Sequence, residues 1–243
     1  MKKIILVLFL MFSSVNSSEV LDSFDSEYSQ KSSEVFDPLS GYNRAMTHFN
    51  DGFYKHFLSP VSKAYAYVVP QTARTGIDNF FTNLMFPIRF VNNILQFKFQ
   101  NASEELGRFL VNTIWGIGGF MDPATDILNM KIHKEDFGQT LGYWGVGDGF
   151  SVVLPFLGQS NLRDIVGLSA DLVVSPTSQL GHNTLDYKIP QKQLEELAIT
   201  SLHKVNEYSF NPNMYEIMTK DTLDLYIFLR DAYKQKRDKE IKE

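Results

Sequence analysis

The amino-acid sequence predicts an all-α fold, on three observations. Apolar and aromatic residues recur at intervals of three and four along most of the chain, which is the helical period. Prolines and small polar residues stand where such segments would begin or end. No alternating apolar–polar run of comparable length competes for a β assignment. The chain holds 20 Phe and 11 Tyr, and aromatics spread over short amphipathic helices are suited to lying against lipid.

The residues before the helices read differently. Lys2 and Lys3 precede the apolar run Ile4–Phe12, and the small residues Val15-Asn16-Ser17 follow. This is the pattern of a secretory signal over 1–17, cleaved before Ser18. As a helix the run would span roughly 14 Å, against a hydrocarbon core of about 30 Å. Residues 18–36 are acidic and serine-rich, and read as a flexible N-terminal tether.

The folded region is expected from Asp37-Pro38, with Asp as cap and Pro in the first turn. Tyr42, Ala45, Met46, Phe49, Phe53 and Phe57 share one face, closing at Ser59-Pro60. Ser59 then caps a helix carrying Val61, Ala64, Tyr65, Val68 and Val69. A third helix groups Ile77, Phe80, Phe81 and Leu84; Pro87 re-aims the chain, and Ile88, Val91 and Leu95 resume the period. Asn101-Ala102-Ser103-Glu104 reads as a capping box for a helix with Leu106, Phe109, Leu110 and Ile114. Periodicity groups these residues into faces without saying what each face touches.

The middle of the chain is dense in glycine, from Gly116, Gly118 and Gly119 through Gly138, Gly142, Gly145, Gly147, Gly149 and Gly158. Such density marks tight turns, close backbone approach or a hinge. Asp122-Pro123 starts a short helix. Gly145–Gly149 lacks the Lys-Ser or Lys-Thr of a phosphate loop. The apolar patch Phe150–Leu157 is either a short buried strand or loop, or a segment exposed to acyl chains. Ser160 is the expected cap of a helix with Leu162, Ile165, Val166, Leu172 and Val173. A helix led by Pro190 carries Leu194, Leu197, Leu202 and Val205. A last stripe holds Leu223, Tyr226, Leu229 and Tyr233, before a charged, solvent-facing tail over 236–243.

Composition excludes several functions. A net charge of −5 supplies no excess of cations for nucleic-acid binding. The absence of cysteine removes disulfides, thiolate nucleophiles and thiolate metal sites. Ser169 lies in a predicted helix and lacks the second glycine of a nucleophile elbow. His48, His56, His133, His182 and His203 show no metal-ligand spacing, and His133 with Glu135 and Asp136 makes only a weak acid–base or metal group. The chain therefore presents no catalytic residue, no metal site and no cofactor site, and does not read as an enzyme.

One resemblance spans the chain from Asp37 to Gln235. Asp37-Pro38-Leu39-Ser40-Gly41-Tyr42-Asn43-Arg44, Phe49-Asn50, Val69-Pro70-Gln71, Asn79-Phe80-Phe81, Val91-Asn92-Asn93 and Arg108-Phe109-Leu110 occur in order. Asp136-Phe137-Gly138-Gln139-Thr140, Trp144-Gly145-Val146-Gly147, Leu154-Pro155-Phe156-Leu157-Gly158, Arg163-Asp164 and Tyr226–Arg230 follow. In these stretches the sequence resembles the MlaA/VacJ family, the phospholipid-binding component of outer-membrane lipid asymmetry maintenance. The resemblance implies a ring-like single domain over 37–235, with helices around a central channel and a glycine-rich hairpin region. It implies that phospholipids misplaced in the outer leaflet pass toward a periplasmic carrier, with an outer-membrane porin as partner and an inner-membrane ABC transporter farther along. The alternatives are an adaptor that binds a porin without moving lipid, and a secreted lipid hydrolase.

Carried onto matching positions, the resemblance makes Phe49, Asn50, Phe53, Trp115, Gly118, Gly119, Phe137, Gly142, Trp144, Gly145 and Gly147 candidates for the channel or its gate. Arg108, Asp136 and Arg163 are candidates for meeting a headgroup or for structural ion pairing. Familiar members mature at a lipobox cysteine, which this sequence lacks, so the expected product is an unacylated protein on the periplasmic face of the outer membrane. Intact-mass analysis of the mature protein is expected to find an N-terminus at Ser18 without an acyl group; an acylated Ser18 or a retained signal would contradict this.

Overall fold

In the computed structural model, residues 36–180 and 188–243 are described; the expected signal, the tether as far as residue 35, and His182 lie outside them. The chain is mainly helical, as periodicity predicts; one two-stranded antiparallel hairpin departs from a purely α class, and its first strand falls in the apolar patch Phe150–Leu157, as one of the two readings of that patch allowed. Helix α1 (Ser40–Phe53) continues through one π-helical turn (Tyr54–Leu58) into α2 (Ser59–Val68). Helix α3 (Gln71–Leu84) follows, and Met85 alone separates it from α4 (Phe86–Leu95), where Pro87 sits in the first turn as expected. Then come α5 (Phe99–Ile114), the short α6 (Pro123–Asp126) and α7 (Phe137–Tyr143). Strands β1 (Ser151–Leu154) and β2 (Gly158–Asn161) form the hairpin, and α8 (Leu162–Val174), α9 (Gln193–Ser209), α10 (Met214–Thr219) and α11 (Leu225–Lys242) complete the fold.

Several boundaries differ from the expected ones. Ser59 is not a cap: its backbone is helical and its hydroxyl donates to the Pro212 carbonyl at 2.9 Å. Pro60 lacks an N–H, and the π turn just before it absorbs the interruption without ending the helix. Asn101–Glu104 lies inside α5, so no capping box forms there. Helix α8 is capped by Asn161, whose side chain accepts from Asp164 N, while Ser160 belongs to β2. Helix α1 begins at Ser40, without a side-chain cap. The expected tail is instead part of α11, in which Arg237 is buried. Asp122 does cap α6, accepting from Thr125 N.

The helices are amphipathic, but their polar stripes face inward. On α5 the buried residues are Ala102, Glu105, Arg108 and Asn112, while Leu106, Leu110 and Ile114 are exposed. On α1, Asn43, Thr47 and Asn50 are buried and Tyr42 and Phe49 exposed; α4 buries Asn92 and Asn93 and exposes Ile94 and Leu95. Helix α8 buries Arg163 and Asp164 and exposes Leu162, Val166, Leu168 and Val173. Among the described residues only Leu58, Phe81, Ala102, Ala124, Val153 and Tyr226 form a buried apolar set. This reverses the arrangement of water-soluble domains, where buried polar side chains are the exception.

A buried polar interior is stable only when its groups bond to one another. Arg89 meets the fully buried Glu105 at 2.7 Å, joining α4 to α5. Asn92 donates to Asp171 and accepts from Thr140, at 2.9 and 2.8 Å, tying α4 to α8 and α7. Asn206 of α9 donates to the Arg74 carbonyl and accepts from the Tyr65 hydroxyl. No described helix is long and apolar enough to cross a membrane.

The hairpin is held by α1 through two asparagines seven residues apart, on one helical face. Asn43 Nδ2 donates to Ser151 O and its Oδ1 accepts from Val153 N, both at 2.9 Å. Asn50 does the same one step along, donating to Leu154 O at 2.9 Å and accepting from Phe156 N at 2.7 Å. The two amides thus supply the free edge of β1 with the bonds another strand would give. Asn43→Ala would leave two backbone groups unpaired and is expected to lower stability by about 2–4 kcal/mol, measured by denaturant unfolding in detergent; a loss below about 1 kcal/mol would show the contact to be dispensable.

Candidate functional site

Phe49, Asn50, Phe53, Arg108, Trp115, Gly119, Asp136 and Arg163 fall into three groups. Phe49, Asn50 and Phe53 converge on the tip of the hairpin. Phe156, at the turn, meets Phe49 edge-on at 5.1 Å and Phe53 at 4.9 Å between ring centres. Tyr54 adds a hydrogen bond from its hydroxyl to Phe156 O at 3.0 Å. The apolar patch therefore divides: Val153 is buried, while Phe156 and Leu157 at the tip are exposed. Phe156 also has a φ of 64°, uncommon for a bulky residue, and the bonds from Asn50 and Tyr54 hold it there.

The second group lies around Arg108, which is buried and engaged through both terminal nitrogens. Its guanidinium makes a bidentate pair with Asp122 at 3.0 and 2.9 Å and donates to Thr125 Oγ1 and Met130 O. Asn112 also donates to Asp122, at 2.8 Å. Burial opposes ionisation of Asp122, but hydrogen bonds from Thr125, Asn112 and Arg108 outweigh it and hold the carboxyl below its ordinary range. Trp115 stands nearby, 69% exposed, on the wall of an open cavity that also includes Asp122. Gly119, at a φ of 95°, rests against the Asn83 side chain, so both its conformation and its surroundings exclude a Cβ.

The third group centres on Asp164, a residue the sequence marked only as the neighbour of Arg163. Asp164 accepts from Arg163 Nε at 3.0 Å, Asn161 Nδ2 at 2.8 Å, Tyr233 Oη at 2.7 Å and Arg237 Nε at 3.0 Å. Arg237 also grips Asp136 through both terminal nitrogens at 2.8 Å, while Asp136 caps α7 through Gln139 N. Burial opposes the Asp164 charge, yet hydrogen bonds from Arg237, Tyr233 and Arg163 hold its pKa below the usual carboxylate range. The Tyr233 hydroxyl is pushed up, by burial and then by its bond to that carboxylate. Gly138 and Gly167 make this possible, because α7 and α8 approach so closely there that a Cβ on either would strike its neighbours.

Arg108, Asp136 and Arg163 thus have protein partners, in two clusters. Phe137 opens α7, its N–H bonded to Asp171. Gly142 is pressed by Ile241 of α11, and Trp144 donates from Nε1 to Leu95 O at 3.0 Å and meets Phe97 edge-on. Gly145 has a φ of 84°, and both Gly145 and Gly147 face open space, as does Gly118. His133, Glu135 and Asp136 diverge to Glu104, Lys98 and Arg237, and no group of three or more His, Asp or Glu converges on a metal position among the described residues. Ser169 donates to Ile165 O within its helix. Sequence reasoning missed Asn43, Phe156, Asp171 and Arg237; the Asn43–Asn50 spacing was a visible signal for the first.

Comparison with known proteins matches this architecture. The MlaA lipoprotein family model matches residues 35–240. The chain is 36% identical over 206 residues to the intermembrane phospholipid transport system lipoprotein MlaA of Escherichia coli K12, covering 83% of this chain and 77% of that one. It is 29% identical over 209 residues to the protein of the same name from Haemophilus influenzae, covering 84% and 78%. A solved structure from work on the structural basis for maintenance of bacterial outer membrane lipid asymmetry aligns with a TM-score of 0.70 at 30% identity, over 85% of this chain and 99% of that one.

Asp171 provides a test of this interior. It accepts from Asn92 Nδ2 and Phe137 N, but burial, reinforced by the nearby Asp136 charge, raises its pKa from 3.8 to about 6. The folded state therefore favours the protonated acid. Its contribution to stability is complete below the ordinary value and is lost as pH rises through about 6. Between pH 4 and 6.5, wild type is expected to lose on the order of 2 kcal/mol relative to Asp171→Asn, read from unfolding curves at each pH; parallel pH profiles would contradict this.

Proposed function

The chain belongs to the MlaA lipoprotein family, and from that premise we propose that it forms a conduit by which phospholipid leaves the outer leaflet of the outer membrane for a periplasmic carrier. It is a phospholipid-handling component of the system that maintains outer-membrane lipid asymmetry, and it is not an enzyme. Its place is at the outer membrane, facing the periplasm.

One observation supports the conduit above the others: polar stripes face inward on helix after helix while apolar stripes face out. An apolar exterior is costly in water, about 0.8 kcal/mol for each exposed methylene, and costs nothing of the kind among acyl chains. A polar interior offers a headgroup hydrogen bonds in place of the water it leaves behind. The described helices, none of them long and apolar enough to cross a bilayer, can rest at this depth in one leaflet with their apolar faces in the hydrocarbon. The ring-like body with a central channel follows as part of the same proposal, as does a porin covering part of the apolar exterior. The gate in this reading is the hairpin tip, clamped by Phe49, Asn50 and Phe53, with Trp115, Gly118, Gly119, Phe137, Gly142, Trp144, Gly145 and Gly147 around the passage. Arg108, Asp136 and Arg163 act as its structural ion pairs.

Reconstitution separates a conduit from a non-transporting adaptor. In proteoliposomes with fluorescent phospholipid confined to one leaflet and a lipid acceptor outside, the protein is expected to speed transfer several-fold over protein-free vesicles. Transfer at the protein-free rate, with the protein correctly inserted, would refute the conduit.

A further inference from the structure

An open cavity of about 660 Å³ lies between α3 and the segment running from Trp115 into α6. Its α3 wall is polar, with the exposed Thr72 and Thr75, and Trp115 lines it from the opposite segment. Asp122 and Asp126 also line it, and no Lys, Arg or His does. The two carboxylates are not equivalent. Asp122 is matched by the bidentate Arg108, whereas Asp126 is exposed and forms no ion pair among the described residues. The lining thus holds one carboxylate with no ion pair among the described residues, and one indole. At the rim, Met121 and Ile127 are exposed apolar residues, continuous in the chain with exposed Ile114 and Ile117.

We propose that this cavity seats the headgroup of a phospholipid bearing a cationic amine, of the ethanolamine type, in preference to one whose headgroup has no cation. The assignment rests on the phospholipid-handling reading above and adds a headgroup class to it. The ammonium group pairs with the Asp126 carboxylate and lies over the Trp115 ring, an arrangement favourable for a cation near an aromatic face. The threonine hydroxyls donate to the phosphate oxygens. The acyl chains run out over Met121 and Ile127 and remain in apolar surroundings. A headgroup of glycerol type would meet the same hydroxyls but bring only negative charge to Asp126.

The full chain in detergent is incubated with mixed micelles containing equal amounts of phosphatidylethanolamine and phosphatidylglycerol of identical acyl composition, re-isolated, and its retained lipid quantified by mass spectrometry. Wild type is expected to retain the ethanolamine lipid about threefold over the glycerol lipid. Asp126→Asn, which removes an unpaired surface charge, is expected to bring the ratio close to unity with total lipid unchanged, and Trp115→Leu to lower it while keeping an apolar side chain. Equal retention by wild type, or a preference that neither variant alters, overturns the headgroup assignment and leaves phospholipid handling standing. Retention of no phospholipid at all by wild type overturns both.

Discussion

The structure depends on polar side chains inside the fold satisfying one another. Asp164 alone gathers bonds from Asn161, Arg163, Tyr233 and Arg237, joining the start of α8 to α11. Arg108 and Asp122 do the same for α5 and α6. In a water-soluble protein such clusters would be isolated features within an apolar core. Here they constitute the core, because so few apolar side chains are buried. Such a network is favourable only when nearly complete, since a charge stripped of its partner in these surroundings costs about 3–5 kcal/mol.

The same inversion gives the exterior its character. Leucine, isoleucine and phenylalanine on α5, α8 and α9 stand exposed in numbers that hydrophobic collapse would normally bury. Acyl chains are the surroundings in which that surface is comfortable, and a headgroup is the occupant for which a polar interior is useful. Chemistry at a catalytic residue is not needed for this work: the fold separates two kinds of surroundings, and an amphiphile takes both.

The helical architecture was legible in the sequence because apolar residues at intervals of three and four impose one answer. Which way each stripe points was not, since periodicity is blind to what lies beyond a face. The polar counterpart was nevertheless visible: Asn43 and Asn50, or Glu105, Arg108 and Asn112, recur at helical spacing and mark the inner face. Local signals failed where tertiary contacts outweigh them. Ser59 and Pro60 read as a helix start, but a π turn carries the helix through. Residues 236–243 read as a tail, but Arg237 finds Asp136 about a hundred residues earlier in the chain, which no local pattern reveals. Phe49 and Asn50 were singled out by resemblance, and their common partner Phe156 emerged only once the hairpin was in place.

Because the chain has no cysteine, single cysteines can report on its surroundings one at a time. The most direct measurement is the collision frequency of a nitroxide with oxygen and with a water-soluble nickel chelate, for spin-labelled Leu110→Cys, Ile114→Cys and Ile217→Cys proteins in bilayers. A lipid-facing exterior predicts that oxygen, which concentrates in hydrocarbon, reaches these labels far more readily than nickel. Labels open to nickel at all three positions would place this surface in water and contradict the inverted fold as a device for holding lipid.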